Sequence, residues 1–194
     1  MSLIDRDDCV LVVIDAQDGF YPAHRDDVDR GLMRARLDTA AWVCALAAAL
    51  DVPTVVTEED PATNGPTDPA IAAALRTTVR FDKSVFGAAD NPPIDAAVER
   101  TGRGTIVIVG METDICVTHS ALGWAARGRR VLVVRDAVYS AGGADEAGLR
   151  RLEQEGIVLL SAKQVYYEWL RTLSAVRAFD AAHPRLANPP GFSL

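Results

Sequence analysis

Six short runs of aliphatic and β-branched residues recur along the chain with longer amphipathic segments between them, and this alternation leaves few folds open. The runs are CVLVVID at 9–15, PTVVT at 53–57, residues 78–81, TIVIV at 105–109, RVLVVR at 130–135 and residues 157–160. Continuous apolar runs without polar alternation fit strands buried on both faces, as in a parallel sheet. The intervening segments, at 30–50, 68–76, 91–101, 114–128, 144–155 and 163–182, predict helices. Strand and helix alternating six times specify an α/β fold with three layers: a six-stranded parallel sheet, right-handed crossovers and helices on both faces. Punctuation agrees, with Pro53 after a helix, Gly102 and Gly104 around a helix-to-strand turn, and Gly128 where a C-terminal cap belongs.

A chain of 194 residues, 49% of them hydrophobic, suits one domain with one substantial core. We place that domain at 1–182 and expect the Pro-containing segment 183–194 to run extended over the surface or onto a neighbouring subunit. The net charge of −7, with acids and bases interspersed, argues against a polyanion or an acidic membrane surface as partner. Nucleic acid and membrane are therefore not expected ligands. Cys9, Cys44 and Cys116 are an odd set without close spacing, which suits neither a disulfide scaffold nor a zinc cluster. With reduced thiols, no basic flank and cleavage site at the start, and no apolar run near the ~18 residues of a membrane span, the expected location is the cytoplasm.

In open parallel sheets ligands bind beyond the carboxyl ends of the strands, so the polar residues that follow each run carry the chemistry. Three stand out. Asp15 ends the first run, Lys83 follows the third in FDKS, and Cys116 begins the helix after the fourth in GMETDICV. A cysteine at a helix N-terminus faces unpaired N–H groups and the positive end of the helix dipole, which favour thiolate. Cys116 is thus the expected nucleophile, Asp15 the group that accepts its proton and returns it to a leaving amine, and Lys83 the cation that holds both. Backbone N–H groups of Glu112 and Cys116 would supply an oxyanion hole. Cys9 heads a strand and Cys44 lies in an apolar helix beside Trp42, so both are expected to be structural.

With these residues in place the chain resembles the isochorismatase-like, or cysteine hydrolase, superfamily, which includes nicotinamidases and N-carbamoylsarcosine amidases. LVVIDAQDGF at 11–20 is similar to the first-strand motif, FDKSVFGA places the family lysine on Lys83, and GMETDICV places the family cysteine on Cys116. The resemblance implies a Rossmann-like fold, a cis peptide at Met111-Glu112 that aims the Glu112 N–H, and homo-oligomers with sites near subunit contacts. It also implies a departure. Nicotinamidases carry histidine metal ligands after the second strand, whereas TEEDPATNG at 57–65 holds none, so no metal and no cofactor are expected. A retained cysteine further argues for acyl chemistry over attack on a vinyl ether.

Gln17, Phe20, Tyr21 and Phe86 follow the two motifs closely and are candidates for a pocket wall, with Glu59 as a polar specificity group or else a solvated loop acid. His119, one turn beyond Cys116, points along the helix flank and is read as structural. The expected function is a cysteine hydrolase that cleaves a C–N bond of a small amide, ureido or carbamoyl compound. Nicotinamidase-like activity and a non-catalytic small-ligand scaffold are the alternatives, and a thiol redox sensor lacks a resolving cysteine nearby.

Overall fold

A computed structural model describes residues 2–190. Six parallel strands, β1 (Cys9–Ile14), β2 (Thr54–Glu59), β3 (Phe81–Lys83), β4 (Thr105–Met111), β5 (Arg130–Tyr139) and β6 (Val158–Leu160), form one sheet in the order β3-β2-β1-β4-β5-β6. β1 is buried along its whole length. Its alternate side chains feed two cores. Cys9, Leu11 and Val13 pack into a layer with Leu37, Val43 and Cys44 of helix α1 (Arg30–Ala49), while Val10, Val12 and Ile14 meet Ile94, Val98, Trp124 and Leu152 on the other side.

Two short helices, α2 (Pro61–Asn64) and α3 (Pro69–Ala74), fill the β2–β3 connection. Helices α4 (Pro92–Arg100), α5 (Thr118–Ala126) and α6 (Ala144–Gln154) cover the second face. α7 (Ala162–Leu170) and α8 (Leu173–Ala182) return to the first. The sequence predicts one helix over 163–182, but Arg171 takes φ 66° and the Thr172 side chain accepts from the Ala175 N–H, so one helix stops and another starts there. The predicted strand at 78–81 likewise begins only at Phe81. Arg80 donates to the carbonyls of Thr77 and Val79, which keeps that stretch looped until pairing with Thr57 begins.

The described part of the tail is not extended. Residues 183–190 turn back on the domain, the Leu186 N–H donating to the His183 carbonyl at 2.8 Å, with the His183 ring 4.6 Å from Phe179 and Leu186 packed on the core. Aromatic and aliphatic contacts outweigh the prolines there; residues 191–194 lie outside the described residues.

Candidate active site

From β1 the chain steps outward to β2 and β3, and from β4 it steps the other way to β5 and β6. The carboxyl ends of β1 and β4 therefore border the crevice where strand order reverses, the place such sheets use for ligands. The backbones approach closely at its floor. Gly110 has φ 126°, and a Cβ there would lie 1.9 Å from the Ile14 carbonyl oxygen, so only glycine fits.

Asp15, the first residue past β1, adopts φ 41°, a left-handed conformation uncommon for non-glycine residues. Its N–H donates to the Thr57 carbonyl, and the Thr57 hydroxyl donates to Oδ1 at 2.6 Å. Lys83 ends the edge strand β3 in register with Glu59, and its side chain crosses β2 to place Nζ 2.6 Å from Asp15 Oδ2. The ammonium also donates to the Val85 carbonyl at 3.0 Å, to Glu59 Oε2 at 3.1 Å and to Cys116 Sγ at 3.4 Å. Asp15, Lys83 and Cys116 are all buried.

Cys116 lies in a single turn of π-helix, Thr113–Val117, and not in the first turn of α5. Hydroxyls secure that turn: Thr118 donates to the Thr113 carbonyl and Ser120 to the Cys116 carbonyl, each at 2.6 Å. The Met111–Glu112 peptide before it is cis. The expectation of a standing thiolate is overturned. Burial, reinforced by the Asp15 carboxylate and opposed by Lys83, raises the Cys116 thiol well above its ordinary value. Burial also raises Asp15, beyond the opposing pull of Lys83 and Thr57. For Lys83 burial works the other way, but Asp15, Cys116 and Glu59 more than offset it and keep the ammonium charged. The shifts at Cys116 and Lys83 thus favour a thiol beside an ammonium.

Glu59 proves to be part of this cluster. Its Oε2 sits 3.1 Å from both Sγ and Nζ, and its side chain keeps 22% exposure where those of Asp15 and Lys83 have none. Gln17 is buried behind it, accepting from the Glu59 N–H at 2.8 Å and donating to the carbonyls of Glu59 and Gly65. Gln17 is thus a brace and not a pocket wall. Tyr21 is not wall either, because it lies in the core, stacked edge-on to Tyr139 at 5.5 Å with its hydroxyl donating to Glu112 Oε1 at 2.8 Å. Phe20 packs half-buried against the same core. Phe86 does face solvent, edge-on to the exposed His119 at 5.9 Å, and borders a cleft of about 570 Å³ with Glu59, Asp60, Asp82, Lys83 and Asn91.

Sequence reading missed Thr57, which donates to Asp15, 42 residues away, and Ser120, which donates to the Cys116 carbonyl and accepts from the Ala88 N–H, 32 residues away. Donor atoms of Asp15, Glu59 and Cys116 lie within 4.8 Å of one another, spacing that suits a cation. The Lys83 ammonium already occupies that role, so a metal ion would have to displace it.

Known proteins share this architecture. The Isochorismatase domain family matches residues 9–164. Isochorismatase domain-containing protein 2B of Mus musculus is 30% identical over 149 residues, covering 75% of this chain but only 65% of that relative's length. A MAR1 ribonuclease from Caenorhabditis elegans superposes with a TM-score of 0.82 at 23% identity, over 100% of this chain and 98% of its own. YcaC of Escherichia coli, a probable hydrolase, is 26% identical over 193 residues, covering 93% of this chain and 88% of that protein; its structure, an octameric hydrolase of unknown specificity, gives a TM-score of 0.76 over 96% of this chain and 93% of that one.

Proposed function

The chain belongs to the isochorismatase family of hydrolases, and from that premise we propose that it cleaves a C–N bond of a small amide, ureido or carbamoyl compound through a thioester on Cys116. One observation carries the reading: a sulfur, a carboxylate and an ammonium from three distant strand ends converge, with Lys83 Nζ 2.6 Å from Asp15 and 3.4 Å from Sγ. A resting thiol fits this chemistry when its proton has an acceptor of raised basicity beside it, and buried Asp15 is one. Asp15 takes the thiol proton as Sγ bonds to the carbonyl carbon. The N–H groups of Glu112 and Cys116 stabilise the oxyanion, the C–N bond breaks, and the amine leaves with the proton from Asp15. Water then attacks the thioester, passing its proton through Asp15 back to sulfur as the acid departs.

Lys83 opposes the upward push of burial on Asp15 and limits the charge that builds on sulfur. Net charge and the acids lining the cleft support a small substrate over a phosphodiester. A homo-oligomer is part of the same reading, supported by exposed Leu173 and Tyr167 on α8 and α7 and by the octameric state of YcaC; light scattering of the purified chain tests it, a monomer refuting it. For the chemistry, ammonia release is measured over a panel of small amides and ureido compounds. Cys116→Ser is expected to remove turnover while far-UV circular dichroism stays unchanged. Substantial turnover in that folded variant would reject the thioester route.

Among the described residues no helix is long and apolar enough to cross a membrane.

A further inference from the structure

The buried cluster holds more acids than bases. Asp15 and Glu59 share one ammonium, with the Cys116 thiol beside them. Of the cluster's side chains Glu59 is the one with appreciable solvent exposure, and Asp60 and Asp82 line the same cleft, whose one cation among the described residues is the already paired Lys83. The remaining lining, Pro61, Ala62, Ser84, Phe86 and Asn91, is neutral. Glu59 is also held in place and not merely nearby. Gln17 fixes its N–H and carbonyl from inside, and Asn64 donates to that carbonyl at 2.9 Å. Its carboxylate lies 3.1 Å from the sulfur, so a molecule that reacts there passes within a few ångströms of a fixed negative charge.

We propose that Glu59 is the specificity-determining residue of this site. It selects substrates whose carbonyl carries N–H donors or a neighbouring cationic group, and it turns away substrates with a carboxylate near the scissile bond. The inference rests on Cys116 as the reacting centre and narrows the proposed amide, ureido and carbamoyl class to its neutral and cationic members. An N–H donor or ammonium group satisfies the Glu59 oxygen that now accepts from Sγ and Nζ, freeing sulfur to attack. A carboxylate in the same position meets the Glu59 carboxylate across a few ångströms, with Asp60 and Asp82 lining the same cleft. Discrimination of roughly tenfold to a hundredfold is expected from one such charge contact.

Two measurements test this on the full chain. The first compares kcat/KM for ammonia release from β-alaninamide, butyramide and succinamate, which share one carboxamide arm and end in a cation, a methyl group and an anion. Preference is expected in that order, and Glu59→Gln should compress the spread chiefly through KM. The second needs no turnover. Cys116 is alkylated with iodoacetamide or iodoacetate, the modified thiol is located by mass spectrometry, and each rate is divided by that of a free thiol. The amide is expected to react at least tenfold faster than the acid, and Glu59→Gln should bring the ratio toward one. Equal rates in the parent protein, or a ratio that Glu59→Gln leaves unchanged, would overturn the assignment. Should no amide release ammonia while the alkylation ratio behaves as expected, hydrolysis is rejected and the charge selection stands.

Discussion

Two buried aspartates in this molecule, Asp15 at the sheet rim and Asp68 at the start of α3, each face a basic side chain at close range, yet the protein drives them in opposite directions. Asp15 lies 2.6 Å from Lys83 and Asp68 lies 2.7 Å from Arg34. Burial pushes Asp68 upward too, but Arg34 and the N–H groups of Ile71 and Ala70 more than offset it, and its carboxyl ends below the ordinary range. Asp15 receives the Thr57 hydroxyl and an ammonium shared with Glu59, and burial wins. Hydrogen bonds from a helix N-terminus make one carboxylate a fixed anion that holds structure. Their scarcity at the other leaves a group able to take a proton. Pairing with a cation does not by itself say which of the two a buried acid will be.

The comparison breaks most visibly in turnover. Asp15→Asn is expected to lower ammonia release by roughly 10²–10⁴-fold, the usual worth of a positioned general base, while Asp68→Asn stays near the parent rate. If Glu59→Gln alone matched the loss and Asp15→Asn did not, the two site carboxylates would exchange roles.

Stability should show the reverse ranking. Asp68→Ala removes a helix cap and the partner of a half-exposed arginine, and urea unfolding is expected to show a loss of about 2 kcal/mol. Asp15→Asn leaves Lys83 paired with Glu59 and lowers the excess negative charge, so its unfolding free energy should shift by less than about 1 kcal/mol.

The smallest effects lie in pH dependence. Asp68 is lowered on folding, so its stabilisation is complete above the ordinary carboxylate value of about 4 and fades as pH falls below it. Unfolding curves of the parent and Asp68→Asn should therefore converge at low pH. Asp15 is raised, so its protonation sets in above about 4, and the acid limb of kcat/KM should lie above the ordinary carboxylate range. A limb at or below about 4 would remove Asp15 from the base's role.

The three cysteines repeat the lesson in another side chain. Burial pushes Cys44 up to about 12 and Cys9 up to about 11, and it raises Cys116 as well. Only Cys116 combines that burial with an acid and an ammonium in reach.

Much of this was legible before any coordinates. The apolar run at 9–15 could hardly be anything but a central strand, and a polar residue ending such a run, as Asp15 does, is placed by topology alone. Cys116 and Lys83 were found the same way. Glu59 was legible only as one of two alternatives, a specificity group or a solvated loop acid, because what decides between them is its pairing with Lys83 across β2 and β3, a register that neither segment announces. Tyr21 was misread for a related reason: four residues past Gln17 says nothing about facing inward, and its ring went to the core with Tyr139. The thiol's protonation state also escaped, since a helix N-terminus is visible in sequence whereas the burial that outweighs it is not.

The brace formed by Gln17 bears on how such a protein changes its diet. One amide side chain grips the N–H and carbonyl of Glu59 and the carbonyl of Gly65, joining the rim of β1 to the loop beyond β2. The pose of a carboxylate 3.1 Å from the sulfur is therefore governed by a buried residue outside the lining of the cleft. Replacing that amide would tilt the acid toward or away from the reacting atom, so substrate preference in this architecture can be inherited, lost or retuned from behind the pocket with its walls left intact.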